Sequence, residues 1–271
     1  MHDFDFIENK VCQQLQECLL QHKNINPRNK YGWTLLHECC KVKWMEGVQY
    51  LVEKGADINC TDENGLTLLD LCCTYRWMEG IEYLVEKGAE INCIDEYKWT
   101  PLHTCCCMEW MQGVKYFVEK GADINCRDED GQLALHICCH LKWMEGVQYL
   151  VEKGAEINCR DKDRKPALHI CCQLKWIKGT RVLIMNNADP GIEDKKGESA
   201  YDLALRSQNL ELINVILQAT KKIIRKPKKN RSRVQRKRIY EIEGQKDQYL
   251  QEITSAKIVL EYKILWITNL K

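Results

Sequence analysis

Between Asp128 and Arg160 the apolar residues fall into two helical stretches separated by polar positions. Val147, Leu150 and Val151 recur at the i, i+3, i+4 spacing of one helix face, which predicts a helix from about Trp143 to Lys153. Gly154 is placed to stop it as a helix C-terminal residue, and AEINC is expected to run on as an extended arm. The apolar run from Leu133 to about His140 predicts a shorter helix, which must be packed to persist. Before it, the D-x-x-G of Asp128 to Gly131 predicts a turn, with the glycine free to adopt a positive φ.

The same pattern recurs along the chain. HECCKVKW begins at His37, DLCCTYRW at Asp70, HTCCCMEW at His103, HICCHLKW at His136 and HICCQLKW at His169, each 33 residues after the last. A fixed period of that length marks units too small to bury their own apolar faces, which must stack on their neighbours.

Turn, short helix, second helix, glycine stop and arm together resemble the ankyrin repeat. The matching stretches are NKYGWTLLH at Asn29 to His37, KWTPLH at Lys98 to His103, and EKGADIN or EKGAEIN ending at Asn59, Asn92, Asn125 and Asn158. The resemblance implies an all-α solenoid of stacked helix-turn-helix units with protruding β-turn loops. Five units are expected at 29–61, 62–94, 95–127, 128–160 and 161–193, with a degenerate half-repeat over 1–28 and a capping repeat over 194–219. Lys43, Arg76, Glu109, Lys142 and Lys175 stand where the family usually has a glycine between its helices. Gly47, Gly80, Gly113, Gly146 and Gly179 stand inside the second helix region, where glycine costs about 1 kcal/mol relative to alanine. An inter-helix loop of a different shape is therefore expected.

The 17 cysteines follow the repeat, and 17 is odd, so reduced thiols are expected rather than a disulfide framework. The adjacent pairs occupy the two alanine positions of the family's first helix, and cysteine is small and apolar enough to replace alanine there. Equivalent cysteines of successive repeats cannot bridge, because stacked helices lie about 8–10 Å apart while a disulfide needs α-carbons within about 7 Å. His136 and Cys139 share a helix face, which keeps a Cys/His zinc site as the alternative from another class. The expectation is no cofactor and no metal. His37, His103, His136 and His169 fall on the family's structural histidine, and Asp70 and Asp202 replace it in two units. Trp44, Trp77, Trp110, Trp143 and Trp176 are expected to pack over the inter-helix loop.

The second helices of the first four units are near copies of one another, whereas the turns read KYGW, ENGL, EYKW, EDGQ, KDRK and KKGE. The ends of the first helices also vary. In the family these zones line the concave binding face, so the resemblance implies a non-enzymatic protein-interaction module. Its candidate contact residues are Tyr31, Trp33, Leu66, Tyr75, Tyr97 and Trp99, with Glu96, Glu129 and Asp130 as charged neighbours. Tyrosine and tryptophan are the types enriched at binding hot spots, although Trp33 and Trp99 fit a scaffold role equally well. A regulatory fragment of a larger enzyme is a further alternative. No phosphate-binding loop, nucleophile arrangement or paired carboxylates stand apart from the repeat. The family also implies Asn59, Asn92, Asn125 and Asn158 as possible asparaginyl-hydroxylation sites.

Charge separates the end of the chain from its body. Lys221 to Arg238 holds six lysines and five arginines with no acid, leaving 29 basic against 39 acidic residues elsewhere. The segment 220–238 is read as a basic linker. Within it Arg225, Lys226, Lys228 and Lys229, then Arg236, Lys237 and Arg238, form two clusters of the kind a nuclear-import receptor recognises. Aromatic residues are not interleaved, so nucleic-acid binding is not expected. Residues 239–271 carry an amphipathic helical pattern. With no secretion signal and no long apolar run, a monomeric cytoplasmic or nuclear protein without membrane insertion is expected.

Overall fold

The computed structural model describes residues 25–224, together with Gly244. The expected N-terminal half-repeat before residue 25, the basic clusters from Arg225 to Arg238 and the amphipathic stretch 239–271 lie outside the described residues. Among the described residues there are twelve helices and no strand, only isolated bridges at Thr61–Thr67 and Glu193–Ser199.

The chain divides into two compact units, Met1–Lys162 and Asp163–Lys271. The first contains four helical hairpins: α1 (Leu35–Lys41) with α2 (Met45–Glu53), α3 (Leu68–Thr74) with α4 (Met78–Glu86), α5 (Pro101–Cys107) with α6 (Met111–Glu119), and α7 (Ala134–His140) with α8 (Met144–Glu152). First helices stack on one another, α1 on α3, α3 on α5 and α5 on α7. The second unit contains α9 (Ala167–Gln173), α10 (Ile177–Met185), α11 (Ala200–Arg206) and α12 (Leu210–Ile224), with α9 stacked on α11 and α10 on α12.

The first five hairpins, from α1–α2 to α9–α10, are punctuated by the same backbone device. At the end of α1 the Trp44 N–H donates to the Cys39 carbonyl (3.0 Å) and the Lys43 N–H to the Cys40 carbonyl (3.2 Å). At the end of α2 the Ala56 N–H donates to the Leu51 carbonyl (2.9 Å) and the Gly55 N–H to the Val52 carbonyl (3.0 Å). Both are Schellman ends, which require one left-handed residue. Gly55 meets this at φ 86°, but Lys43 (57°), Arg76 (50°), Glu109 (48°), Lys142 (56°) and Lys175 (51°) also adopt it. The expectation of a reshaped loop therefore fails: the left-handed turn is kept, and a residue with a β-carbon occupies it.

The helical glycines have a separate reason. A β-carbon on Gly47, Gly80, Gly113, Gly146 or Gly179 would lie 2.1–2.4 Å from Cε3 of the tryptophan three residues earlier. The indole lies flat on the bare backbone of its own helix start. Trp77, Trp110 and Trp143 are buried there, and Trp44 and Trp176 are half-buried. Trp143 itself is the N-cap of α8, so the second helix starts at Met144, one residue later than its apolar pattern suggested. The arm AEINC is also not fully extended, since the Cys159 N–H closes a turn onto the Glu156 carbonyl (3.0 Å).

Between successive first helices, buried polar groups are fitted to the backbone. The Thr34 N–H donates to Nδ1 of His37 (3.1 Å), and the Thr100 N–H to Nδ1 of His103 (3.1 Å). A nitrogen that accepts carries no proton, so neither ring is doubly protonated, and burial lowers the pKa of both; the other nitrogen of each faces the main chain of the next repeat at Leu66 and Gln132 respectively. In the second unit Nε2 of His169 reaches the Glu198 carbonyl (3.0 Å). Asp70 plays the histidine's local part in the second repeat: its carboxylate accepts from the Thr67 N–H (3.1 Å) and hydroxyl (2.7 Å).

The paired cysteines fill the seam between these helices. The thiols of Cys40 and Cys72, of Cys73 and Cys105, and of Cys106 and Cys138 meet across successive repeats. All six are fully buried, and the neighbouring thiol together with burial holds the Cys40, Cys73 and Cys106 pKa values well above the usual thiol range. Every described cysteine is a free thiol.

Candidate partner-binding face

The turn tips are built from their first residue. In the second repeat Oδ1 of Asp62 accepts from the Asn64 N–H (2.8 Å) and the Leu66 N–H (2.9 Å). In the third, Oδ1 of Asp95 accepts from the Tyr97 N–H (2.9 Å) and the Trp99 N–H (2.7 Å). Asn29 does the same for Tyr31 (2.9 Å) and Trp33 (3.1 Å). One short side chain thus ties the turn to itself, as Asp and Asn do in tight turns, and the residues between are turned outward. Gly32 (φ 76°), Gly65 (75°) and Gly131 (73°) take the left-handed position, and Lys98 takes it in the third tip at 59°.

Neighbouring tips are joined by main-chain hydrogen bonds. The Glu63 N–H donates to the Tyr31 carbonyl (3.3 Å), Glu96 to Asn64 (3.1 Å), Glu129 to Tyr97 (2.7 Å) and Lys162 to Asp130 (2.7 Å). The four tips of the first unit therefore form one continuous edge, with Glu63, Glu96 and Glu129 at the same register. A β-carbon on Gly65 would meet the Glu96 nitrogen at 2.9 Å, which shows how closely the tips pack.

The aromatic candidates divide into two kinds. Tyr31 (59% exposed) and Tyr97 (56%) project from the edge, and Tyr75 (36%) is exposed where α3 ends. Trp33 and Trp99 are half-buried and already engaged. Nε1 of Trp33 donates to Oδ2 of Asp62 (3.2 Å), and its ring stacks on His37 at 6.0 Å. Trp99 lies against His103 at 6.3 Å. Leu66 is half-buried within its own turn, while Glu96, Glu129 and Asp130 are exposed. Asp130 sits 3.8 Å from Lys162. The Tyr97 hydroxyl donates to the Glu96 carboxylate, and that hydrogen bond, with the carboxylate's charge, raises the phenol pKa.

Three exposed apolar residues were missed by the sequence reading: Ile94 (51% exposed), Met185 (81%) and Leu141. Leu141 (41% exposed) caps the end of α7 in the register that Tyr75 occupies on α3. The variable pair His140–Leu141 carried the signal, but from the ends of the first helices only Tyr75 was singled out. The pairing of non-equivalent cysteines was missed for a similar reason, since only equivalent positions had been compared across repeats.

Among the described residues no three His, Cys, Asp or Glu side chains converge as a metal ion would require, and His136 and Cys139 recruit no third. No helix among them is long and apolar enough to cross a membrane.

A family profile described as "Ankyrin repeats (3 copies)" matches residues 7–95, 79–161 and 144–227. No curated protein matches the sequence. Among solved structures, the chain is similar to the one titled "Crystal structure of the ankyrin repeat domain of Bcl-3: a unique member of the IkappaB protein family". The TM-score is 0.69 at 21% identity, over 78% of this chain and 94% of that one. Likeness at that identity establishes the fold alone.

Proposed function

This chain belongs to the ankyrin-repeat family, and from that premise we propose that it is a non-enzymatic scaffold or adaptor that holds a protein partner on its turn tips and first helices. Ankyrin repeats generally mediate protein–protein interaction, and the finer reading concerns which residues do so here. The observation that carries it is the contrast between buried and exposed positions. The second helices of the first four repeats are near copies where they pack, whereas Tyr31, Tyr75 and Tyr97 are large, rigid and exposed. Amphipathic rings presented from a braced backbone lose little conformational freedom on binding.

The test is affinity purification from cells using the full chain and a Tyr31→Ala, Tyr97→Ala variant, with circular dichroism to establish that both are folded. Specific partners should be lost from the variant. Retention of every partner by the folded variant would remove the face from consideration. The basic clusters Arg225–Lys229 and Arg236–Arg238 support a nuclear role, tested by comparing the distribution of fluorescent fusions of the full chain and an Arg236→Ala, Lys237→Ala, Arg238→Ala variant.

A further inference from the structure

The tip edge of the first unit has a definite charge as well as aromatic groups. Its four turns, 29–33, 62–66, 95–99 and 128–132, hold seven carboxylates against two lysines, Lys30 and Lys98. Asp62, Asp95 and Asp128 point inward and brace their turns. Glu63, Glu96 and Glu129 are exposed and form no ion pair among the described residues.

Resting on the interaction face just described, we propose that its occupant is an extended protein segment carrying a lysine or arginine at every third residue. The spacing follows from the stacking. Packed helices lie about 8–10 Å apart, and the main-chain bonds between tips carry that interval onto the edge. A polyproline-type chain advances about 3.1 Å per residue with three residues per turn, so residues three apart share one face and lie roughly 9 Å apart. Cations three residues apart then meet Glu63, Glu96 and Glu129 in turn. Tyr31 and Tyr97 flank this row, and their rings offer the intervening residues an apolar surface and the cations a π-face. Lys30 already lies 4.8 Å from the centre of the Tyr31 ring, so that ring accepts a cation in this geometry. A helical ligand would have to carry its cations at every seventh residue, about 10.5 Å apart, rather than at every third.

The test uses two fluorescein-labelled peptides of identical composition: one of repeated Lys-Ser-Pro units, the other with its lysines adjacent. Binding to the full chain is measured by anisotropy at low ionic strength. The spaced peptide should bind about five- to ten-fold tighter, as expected for a few exposed ion pairs in register, and added salt should weaken it. In the variant Glu63→Gln, Glu96→Gln, Glu129→Gln, whose substitutions are all at exposed positions, the two peptides should become equal. Equal binding of both peptides by the unaltered chain, or an undiminished preference in the variant, would overturn the inference. That failure is separable from failure of the face itself: partners lost with Tyr31→Ala, Tyr97→Ala would leave the face standing and discard only the charge and spacing of its ligand.

Discussion

Replacing Gly80 with alanine should destabilise the protein, although helix propensity alone predicts the opposite. Gly80 is the third residue of α4, where alanine ordinarily gains about 1 kcal/mol over glycine. The added methyl, however, would stand 2.2 Å from Cε3, 2.4 Å from Cζ3 and 2.6 Å from Cδ2 of Trp77. Ordinary carbon contacts lie near 3.5–4.0 Å, so the indole must withdraw by about 1 Å or more. Trp77 is only 6% exposed, and withdrawal means either overpacking its neighbours or giving up burial. Overpacking costs about 1–3 kcal/mol, and a contact this short falls in the upper part of that range, so after the propensity gain a net loss of up to about 2 kcal/mol is expected. Urea unfolding followed by circular dichroism reads this directly, and a Trp77→Leu background supplies the second arm. Without the indole the clash is gone, and Gly80→Ala should there become neutral or stabilising. A gain in stability with Trp77 present, or the same loss in both backgrounds, would refute the account of the glycine as indole clearance.

Further outcomes follow from the same packing. Lys142→Gly, at a left-handed position exposed to solvent, should raise stability by about 1 kcal/mol, the cost a β-carbon incurs there, as measured by the shift of the urea midpoint. Cys40, Cys72, Cys73, Cys105, Cys106 and Cys138 are buried, and the Cys40, Cys73 and Cys106 pKa values are raised, so alkylation of the six read by peptide mass spectrometry should track unfolding. Rapid native labelling of any of them would contradict the seam. Burial raises the Asp70 pKa to about 6, against hydrogen bonds from Thr67 and Thr104 that lower it, with Asp95 nearby. Its folded pKa lies above the unfolded value, so Asp70 favours the fold fully below about pH 4, and that contribution is lost as pH rises through 6. The wild-type minus Asp70→Asn stability difference should therefore fall by about 2 kcal/mol between pH 4 and pH 7 in paired urea titrations; a flat difference would show that the carboxylate titrates normally. The variant comparison is needed because the lowered pKa values of His37 and His103 act in the opposite sense, losing stability as pH falls below about 6.5.

Local apolar spacing made the elements legible. The period of 33 residues and the 3.6-residue rhythm of Val147, Leu150 and Val151 fix both the unit and its second helix, because burying one helix face leaves a repeating signature. What escaped the reading was set by tertiary contact. Gly80 read as a helix defect because an indole three residues away is invisible in propensity. Lys43 read as a reshaped loop because a left-handed lysine is paid for by two main-chain hydrogen bonds rather than by its own preference. At the candidate face, sequence could name Tyr31 and Trp33 but not rank them. Exposure separates a ring projecting from the edge from one stacked on His37.

That separation bears on how such a chain can vary its partner. Asp62, Asp95 and Asp128 brace their turns through carboxylate to main-chain bonds, which depend on no side chain at the following tip positions. The tip-to-tip bonds are likewise main chain to main chain. Tyr31, Glu63 and Tyr97 can therefore be exchanged at a cost near that of any exposed residue, within about 0.5 kcal/mol, whereas exchanging Trp77 or Gly80 disturbs the stack. Position 98 shows the limit of that freedom. Lys98 stands at φ 59° where the other tips of this unit carry glycine, so even there the left-handed turn is retained while the side chain changes. The main-chain bonds hold the turn constant, and the tip side chains can change without disturbing it.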